Sequence, residues 1–235
     1  MADRYFLPHL PDGDRCELGG TEFHHLAHVL RGRTGDHLTV FDGSGTEAEA
    51  EIVGLSKTAA SLRLGVRRRD SPATDLEIVL ATAVPKVDRF RWLVEKATEL
   101  GVGGLIPLQT ARSVVSPGAL KLDKMRQAVI EACKQSGRNR LMEIEPLMSW
   151  REFVSGSVPT SSAFLADLAG DPLPDLADVR QKDQRVLLIV GPEGGLTEVE
   201  RHEVMEAGAR RVTLGPRILR IETAALAMAA VFLLK

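Results

Sequence analysis

Two glycine-rich strings mark where this chain could do chemistry. Gly191-Pro192-Glu193-Gly194-Gly195 follows the apolar run RVLLIV, and the stretch from Leu214 to Glu222, LGPRILRIE, begins within the string RVTL. Glycine and proline together force a tight backbone path, and Gly194 and Gly195 carry no side chain to obstruct a ligand approaching main-chain N–H and C=O groups. Such a loop suits backbone recognition of a flat heteroaromatic group. No Gly-Lys-Ser/Thr follows it, and the chain has no G-x-G-x-x-G, so neither a Walker loop nor a dinucleotide fingerprint is present. The alternative is a plain strand-to-helix turn whose glycines serve geometry alone. His24 and His28 share a helical face, with His25 beside them, but no Glu follows the first His and no third ligand is evident; the spacing favours a structural or solvated face over a metal site. Cys133 falls on the apolar side of its helix and reads as a small hydrophobe. Between Gln109 and Arg140, seven basic residues (Arg112, Lys121, Lys124, Arg126, Lys134, Arg138, Arg140) stand against two acids, Asp123 and Glu131. That stretch is either a phosphate-facing stripe or a solvated helix face laced with ion pairs.

The composition narrows the class. A chain of 235 residues makes one large domain or two small ones. With 44% hydrophobic and 26% charged residues it is globular, not a disordered tail, a fibre or a membrane bundle. Aromatics at 4% argue against a single-strand binder built from many stacking rings. Two cysteines, Cys16 and Cys133, cannot build a disulfide framework or a four-thiolate zinc site, and they suit a reducing compartment. The apolar run Ala224 to Leu234 falls short of the roughly 20 residues a spanning helix needs, and MADRYFLPHLPDGDR lacks the apolar centre of a secretory signal. A cytoplasmic protein without membrane or metal partners is expected. The net charge of -2 gives no global argument for nucleic acid.

The elements that must position the glycine strings fall into two sets. RRRDSPATD, Arg67 to Asp75, is the most polar break and divides the chain into 1–70 and 74–235. Before it, HLTVFDG, EAEAEIVGL and ASLRLGV are strand-sized and separated by turns, the pattern of a small β-rich barrel. One helix interrupts them, with Thr21 as its cap and Phe23, Leu26, Ala27 and Leu30 at helical spacing. After the break, strand-like and helix-like segments alternate, which argues for a parallel α/β sheet with covering helices. LEIVLATAV, GLIPL, AFLAD, RVLLIV and RVTL are the strands. DRFRWLVEKATEL ends at Gly101, Leu122 to Cys133 forms a basic amphipathic helix ending near Gly137, and an Ala-rich helix closes the chain at Leu234. Thr197 and Glu200 form a capping box. Both glycine strings then sit at carboxyl ends of adjacent-looking strands, where an open α/β sheet places its ligand.

Taken together, RYFLP, VLRGRTGDHLTVFDGSG, VEKATELGV, IPLQTARSVV, EACKQSGRNR, LLIVGPEGGLTEVE and LGPRILRIETAALA resemble the RsmE family of 16S ribosomal RNA uracil N3-methyltransferases. They occur in family order from Arg4 to Ala227. The resemblance implies a PUA-like RNA-binding β-barrel domain followed by a SPOUT-type α/β domain with a C-terminal trefoil knot. It also implies S-adenosylmethionine as cofactor, a homodimer, and 16S rRNA, within the 30S subunit, as substrate. By the same resemblance the cofactor would meet Leu165, Gly191, Pro192, Glu193, Gly194, Gly195, Leu214, Gly215, Ile218, Leu219, Arg220 and Thr223. RNA would meet Arg4, Arg31, Arg112 and Arg138. Arg220 or Arg138 would stabilise charge on a uracil oxygen, and Glu193 and Glu222 are the nearest proton acceptors. Ile221 departs from the family, which has threonine there, and removes a hydroxyl. A SPOUT methyltransferase acting on another rRNA or tRNA site, and a non-catalytic RNA-binding protein, are the alternatives; intact glycine strings disfavour the second.

Overall fold

A computed structural model describes residues 3–70, 76–113, 120–159, 162–174, 179 and 185–234. The chain divides into two compact units, Met1–Ala73 with Ile130–Leu141, and Thr74–Val129 with Met142–Lys235. The polar break expected at the boundary falls partly on residues 71–75, outside the described residues. Ile130–Leu141 joins the first unit despite its place in the sequence. The Gly45 amide donates to the Asn139 carbonyl at 3.1 Å and the Leu141 amide to the Gly43 carbonyl at 2.9 Å. Backbone pairing of this kind leaves no trace in composition or periodicity.

In the first unit, β1 (Arg4–Phe6), β2 (Arg15–Gly19), β3 (His37–Phe41), β4 (Thr46–Leu55) and β5 (Ala59–Arg69) form one sheet in the order β1-β3-β4-β5-β2. Alternation along β4 turns Ala48, Ala50 and Ile52 inward. They meet Tyr5, Leu18, Val40 and Leu62 in one core. With β1 and β2 as its two ends, the sheet is a curled half-barrel and not a closed barrel. β2 runs straight into α1 (Gly20–His24), so Gly19 stands at the N-cap position and Thr21 lies inside the helix. A π-helical turn, His25–Val29, follows, with the Leu30 amide donating to the His25 carbonyl at 3.2 Å. The wider turn rotates Leu30 off the face that buries Phe23 and Leu26, leaving it 41% exposed although a 3.6 period points it inward.

The second unit is a parallel sheet with helices on both faces. β6 (Glu77–Ala83), β7 (Gly104–Gln109), β8 (Glu143–Ile144), β10 (Ser162–Asp171), β11 (Arg185–Val190) and β12 (Arg210–Val212) run in the order β12-β10-β11-β6-β7-β8, and β9 (Met148–Ser149) pairs with β7. Burial on both faces explains the unbroken apolar runs of β6 and β11. α2 (Val87–Leu100) and α6 (Ile221–Leu233) cover one face, where the Phe164 and Phe232 rings lie 5.3 Å apart. On the other, Trp150 and Phe153 of α4 (Trp150–Gly156) and Val204 of α5 (Glu198–Glu206) pack on Val79, Ala81, Leu187 and Ile189. α3 (Leu122–Ser136), which belongs to the first unit from Ile130 onward, buries Met125, Val129, Ala132 and Cys133, as its spacing predicts. One expectation about order fails: β11 and β12 are not neighbours, because β10 lies hydrogen-bonded between them.

Candidate active site

β10 is where the site begins. Its pairing with β12 slips between Ala166 and Asp171, so the strand bulges next to the ends of β11 and β12. The bulge and the two glycine strings enclose a cavity of about 340 Å³. Leu165 lines it from the bulge; Gly191, Pro192, Glu193, Gly194 and Gly195 from the second segment; Leu214, Gly215, Ile218 and Leu219 from the third. Arg220 and Thr223, expected with them, do not line it: both lie exposed at the start of α6, whose first turn presents Ile221 and Ala224 instead. The buried Ile221 thus supplies an apolar wall where a threonine would offer a hydroxyl. Asp167, Arg201 and Arg217 also line the cavity, and nothing in the sequence singles them out.

The first glycine loop owes its path to a turn in which the Gly195 amide donates to the Pro192 carbonyl at 2.8 Å. Gly195 has φ 68, the left-handed region where a side chain is strained. Gly194 does not share that conformation, and a Cβ there would meet Arg112 Cδ at an ordinary 3.4 Å. The loop is also held from outside. Arg112 donates to the Gly194 carbonyl at 2.6 Å, so this side chain, expected at RNA, is turned onto the glycine loop. Thr197 and Glu200 form their capping box: the Glu200 carboxylate accepts from the Thr197 amide at 2.8 Å and from its hydroxyl at 2.9 Å. Its other oxygen accepts from the Ala111 amide at 2.7 Å. Glu200, 6% exposed, therefore ties the end of β7 to the start of α5.

The other expected site residues are dispersed. Glu222 is 7% exposed and faces Arg89 of α2 at 3.9 Å, with Oε2 lacking a hydrogen-bond partner. Glu193 stays exposed on the glycine loop. Arg138 belongs to the first unit, where burial, with repulsion from Arg140, lowers its guanidinium pKa against the opposing pull of Cys133. Arg4 is 11% exposed, paired with Glu47 at 2.9 Å and bonded to Asn139. Lys134 is equally covered and pairs with Glu22 at 3.2 Å, so the basic stretch is not one continuous solvated stripe. Of the four expected RNA contacts, Arg31 and Arg112 are exposed without a described ion pair, but Arg112 is engaged by the Gly194 carbonyl; the φ of 55 at Arg31 is the one left-handed non-glycine conformation among the described residues. The His24 and His28 rings lie 4.6 Å apart, tilted at 43° to one another, and among the described residues no group of three His, Cys, Asp or Glu could hold a metal. Burial pushes the Cys133 thiol up to about 11, in keeping with an inert core position.

Comparison with known proteins bears on this arrangement. The RNA methyltransferase domain family matches residues 72–233, and the RNA methyltransferase PUA domain matches residues 18–65. Ribosomal RNA small subunit methyltransferase E of Bacillus subtilis is 31% identical, over 95% of this chain and 93% of its own. The crystal structure of the Neisseria gonorrhoeae enzyme of that name, bound to S-adenosyl methionine, superposes with a TM-score of 0.88 at 33% identity, covering 98% of this chain and 96% of that one. A Legionella pneumophila protein solved with bound cofactor SAM gives a TM-score of 0.86 at 29% identity, covering 99% and 97%. Likeness over nearly the full length of both units, with the cavity formed at three strand ends, establishes that the chain belongs to the ribosomal RNA small subunit methyltransferase E family.

Proposed function

We propose that the chain transfers a methyl group from S-adenosylmethionine to N3 of a uridine in 16S rRNA within the 30S subunit, with the cofactor in the three-segment cavity. The cavity carries this reading. Its volume of about 340 Å³ lies within the roughly 300 to 1,000 Å³ of small-molecule sites. Leu165, Leu196 and Ile221 offer apolar walls to a flat base, while the glycine loop offers main-chain groups. The cofactor supplies a methyl group already activated by the positive sulfur. What remains for the protein is alignment, which contributes about 7 to 11 kcal/mol when reactants are well oriented. A paired uridine hides N3, so the base must be unpaired or flipped to react. Arg220, exposed between the lining residues Leu219 and Ile221, would stabilise charge growing on a uracil oxygen. Glu193 is the better acceptor for the N3 proton, since Glu222 faces Arg89.

The RNA path on this reading uses the exposed Arg31 turn, while Arg112 and Arg4 hold loops in place and Arg138 contributes from a largely covered position. A second copy of the chain would cover the exposed Trp92 of α2 and Val231 and Leu234 at the end of α6, giving a homodimer. The C-terminal segment would form the trefoil knot implied by the resemblance. No described helix is long and apolar enough to cross a membrane; a ribosomal substrate, on this reading, would be met in the cytoplasm. Calorimetry with S-adenosylmethionine, followed by mapping of methylated bases on 30S subunits incubated with the protein, tests the proposal. One cofactor per chain and a new N3-methyluridine are expected. Absent cofactor binding, or a methyl group on another atom, overturns it; light scattering that shows a monomer at micromolar concentration removes the dimer.

A further inference from the structure

Asp167 occupies a position that the methyl-transfer chemistry does not require. It lies at the bulge of β10, level with the carboxyl end of the neighbouring β11 where the glycine loop begins, and it lines the cavity. Of the cavity's two carboxylates, Glu193 is exposed on its loop, whereas the Asp167 side chain is 16% exposed and fixed at both oxygens. Oδ1 accepts from the Ala169 amide at 2.8 Å and Oδ2 faces Arg201 Nε at 3.2 Å. Arg201 is itself fastened, to Glu198 at 2.6 Å and to the Leu196 carbonyl at 3.3 Å. The carboxylate therefore has one orientation and a counter-charge, and each oxygen retains acceptor capacity.

We infer that Asp167 recognises the ribose diol of the nucleoside bound in the cavity, an inference that rests on the cofactor reading above. Two arguments choose the diol over the other donor such a cofactor carries, its α-ammonium group. In parallel sheets that bind nucleosides at a glycine loop, a carboxylate at the end of a neighbouring strand is suitably placed for ribose hydroxyls. Arg201 already neutralises Asp167, so a neutral hydroxyl pair gains charge-assisted hydrogen bonds without repulsion, whereas an ammonium would approach the guanidinium as well. Asp167 is thus a specificity-determining residue, and Arg201 positions it.

Calorimetry on the full chain with S-adenosylhomocysteine, its 2′,3′-dideoxy analogue and its analogue lacking the α-amino group tests this. Wild type should lose about tenfold or more in affinity on going to the dideoxy ligand, the scale of hydrogen bonds to a charged group. Asp167→Asn should bind the natural ligand more weakly by a similar factor and distinguish little between it and the dideoxy form. Loss of the amino group should cost both proteins equally. If Asp167→Asn keeps the full preference for the diol, or loses a preference for the amino group instead, the inference fails. Should that variant not fold, Asp167→Glu, with the carboxylate displaced by one methylene, is expected to lose most of the diol preference, and an undiminished preference overturns the assignment. Wild type that binds S-adenosylhomocysteine without preferring the diol refutes the role of Asp167 alone; wild type that binds none of the three ligands refutes the cofactor reading as well.

Discussion

Two helices of the second unit follow glycine strings, and each carries a buried glutamate in its first turn, yet the two carboxylates are in opposite circumstances. Glu200 at the start of α5 accepts two hydrogen bonds from Thr197 and one from Ala111. Glu222 at the start of α6 has Arg89 at 3.9 Å and an oxygen without a partner. A buried polar group is costly unless satisfied. The first carboxylate is therefore part of what holds the cavity's shape, while the second contributes little to the folded chain that holds it. First-turn glutamates one position apart, Glu200 third and Glu222 second after their caps, thus predict very different responses to substitution.

Glu200→Ala should have the largest effect. It removes the carboxylate half of the capping box and takes the acceptor from the Ala111 amide, costing about 1.5 to 3 kcal/mol, the range for hydrogen bonds to a charged group. Urea denaturation reads that loss, and cofactor affinity should fall with it. A cost below about 1 kcal/mol would show that water replaces Glu200 readily and would erase the contrast with Glu222. Next in size is Gly195→Val, which forces a branched residue into φ 68 and should cost about 1 to 2 kcal/mol. Gly194→Ala, free of that strain, should cost less, and equal losses would contradict the assignment of the turn's constraint to Gly195. Glu222→Gln should change stability by less than about 1 kcal/mol, because the partly exposed Arg89 can turn to water when its distant partner is neutralised. A loss of about 3 kcal/mol or more, the range for breaking a buried pair, would make Glu222 a structural anchor like Glu200. The smallest expected change is a gain: Arg31→Gly relieves a left-handed residue and should stabilise the chain by up to about 1 kcal/mol. The same variant should reduce the salt slope of RNA binding by roughly 0.7 to 0.9 if Arg31 meets a phosphate.

Much of this contrast was legible before the structure, and the parts that were not share a cause. Thr197 and Glu200 announce their capping box, and so do Ser149 and Glu152, a local signal in the sequence that marks the start of α4. The runs of β6 and β11 are recognisable because both faces are covered. By contrast, the insertion of β10 between β11 and β12 depends on which strands pair, a nonlocal choice that leaves each strand's own pattern unchanged. The same holds for Asp167 and Arg201, separated in sequence and joined only by that pairing. The pairing of Arg4 with Glu47 and Asn139 is hidden for a related reason, since those partners lie far from it in sequence. The π-turn after α1 defeats a 3.6 period by one residue, enough to move Leu30 outward.

The membership of Ile130–Leu141 in the first unit has a consequence for how the protein is made. A chain emerging from the ribosome presents all five strands of the half-barrel by Arg69, but Asn139 and Leu141, which accept from Gly45 and donate to Gly43, are synthesised some seventy residues later. At about 5 to 20 residues per second, that interval lasts several seconds. During it Arg4 lacks Asn139 and Glu22 lacks Lys134, so the half-barrel must wait with part of its polar network open. Synthesis order alone therefore prevents the first unit from being finished before β6, α2 and β7 have already left the ribosome.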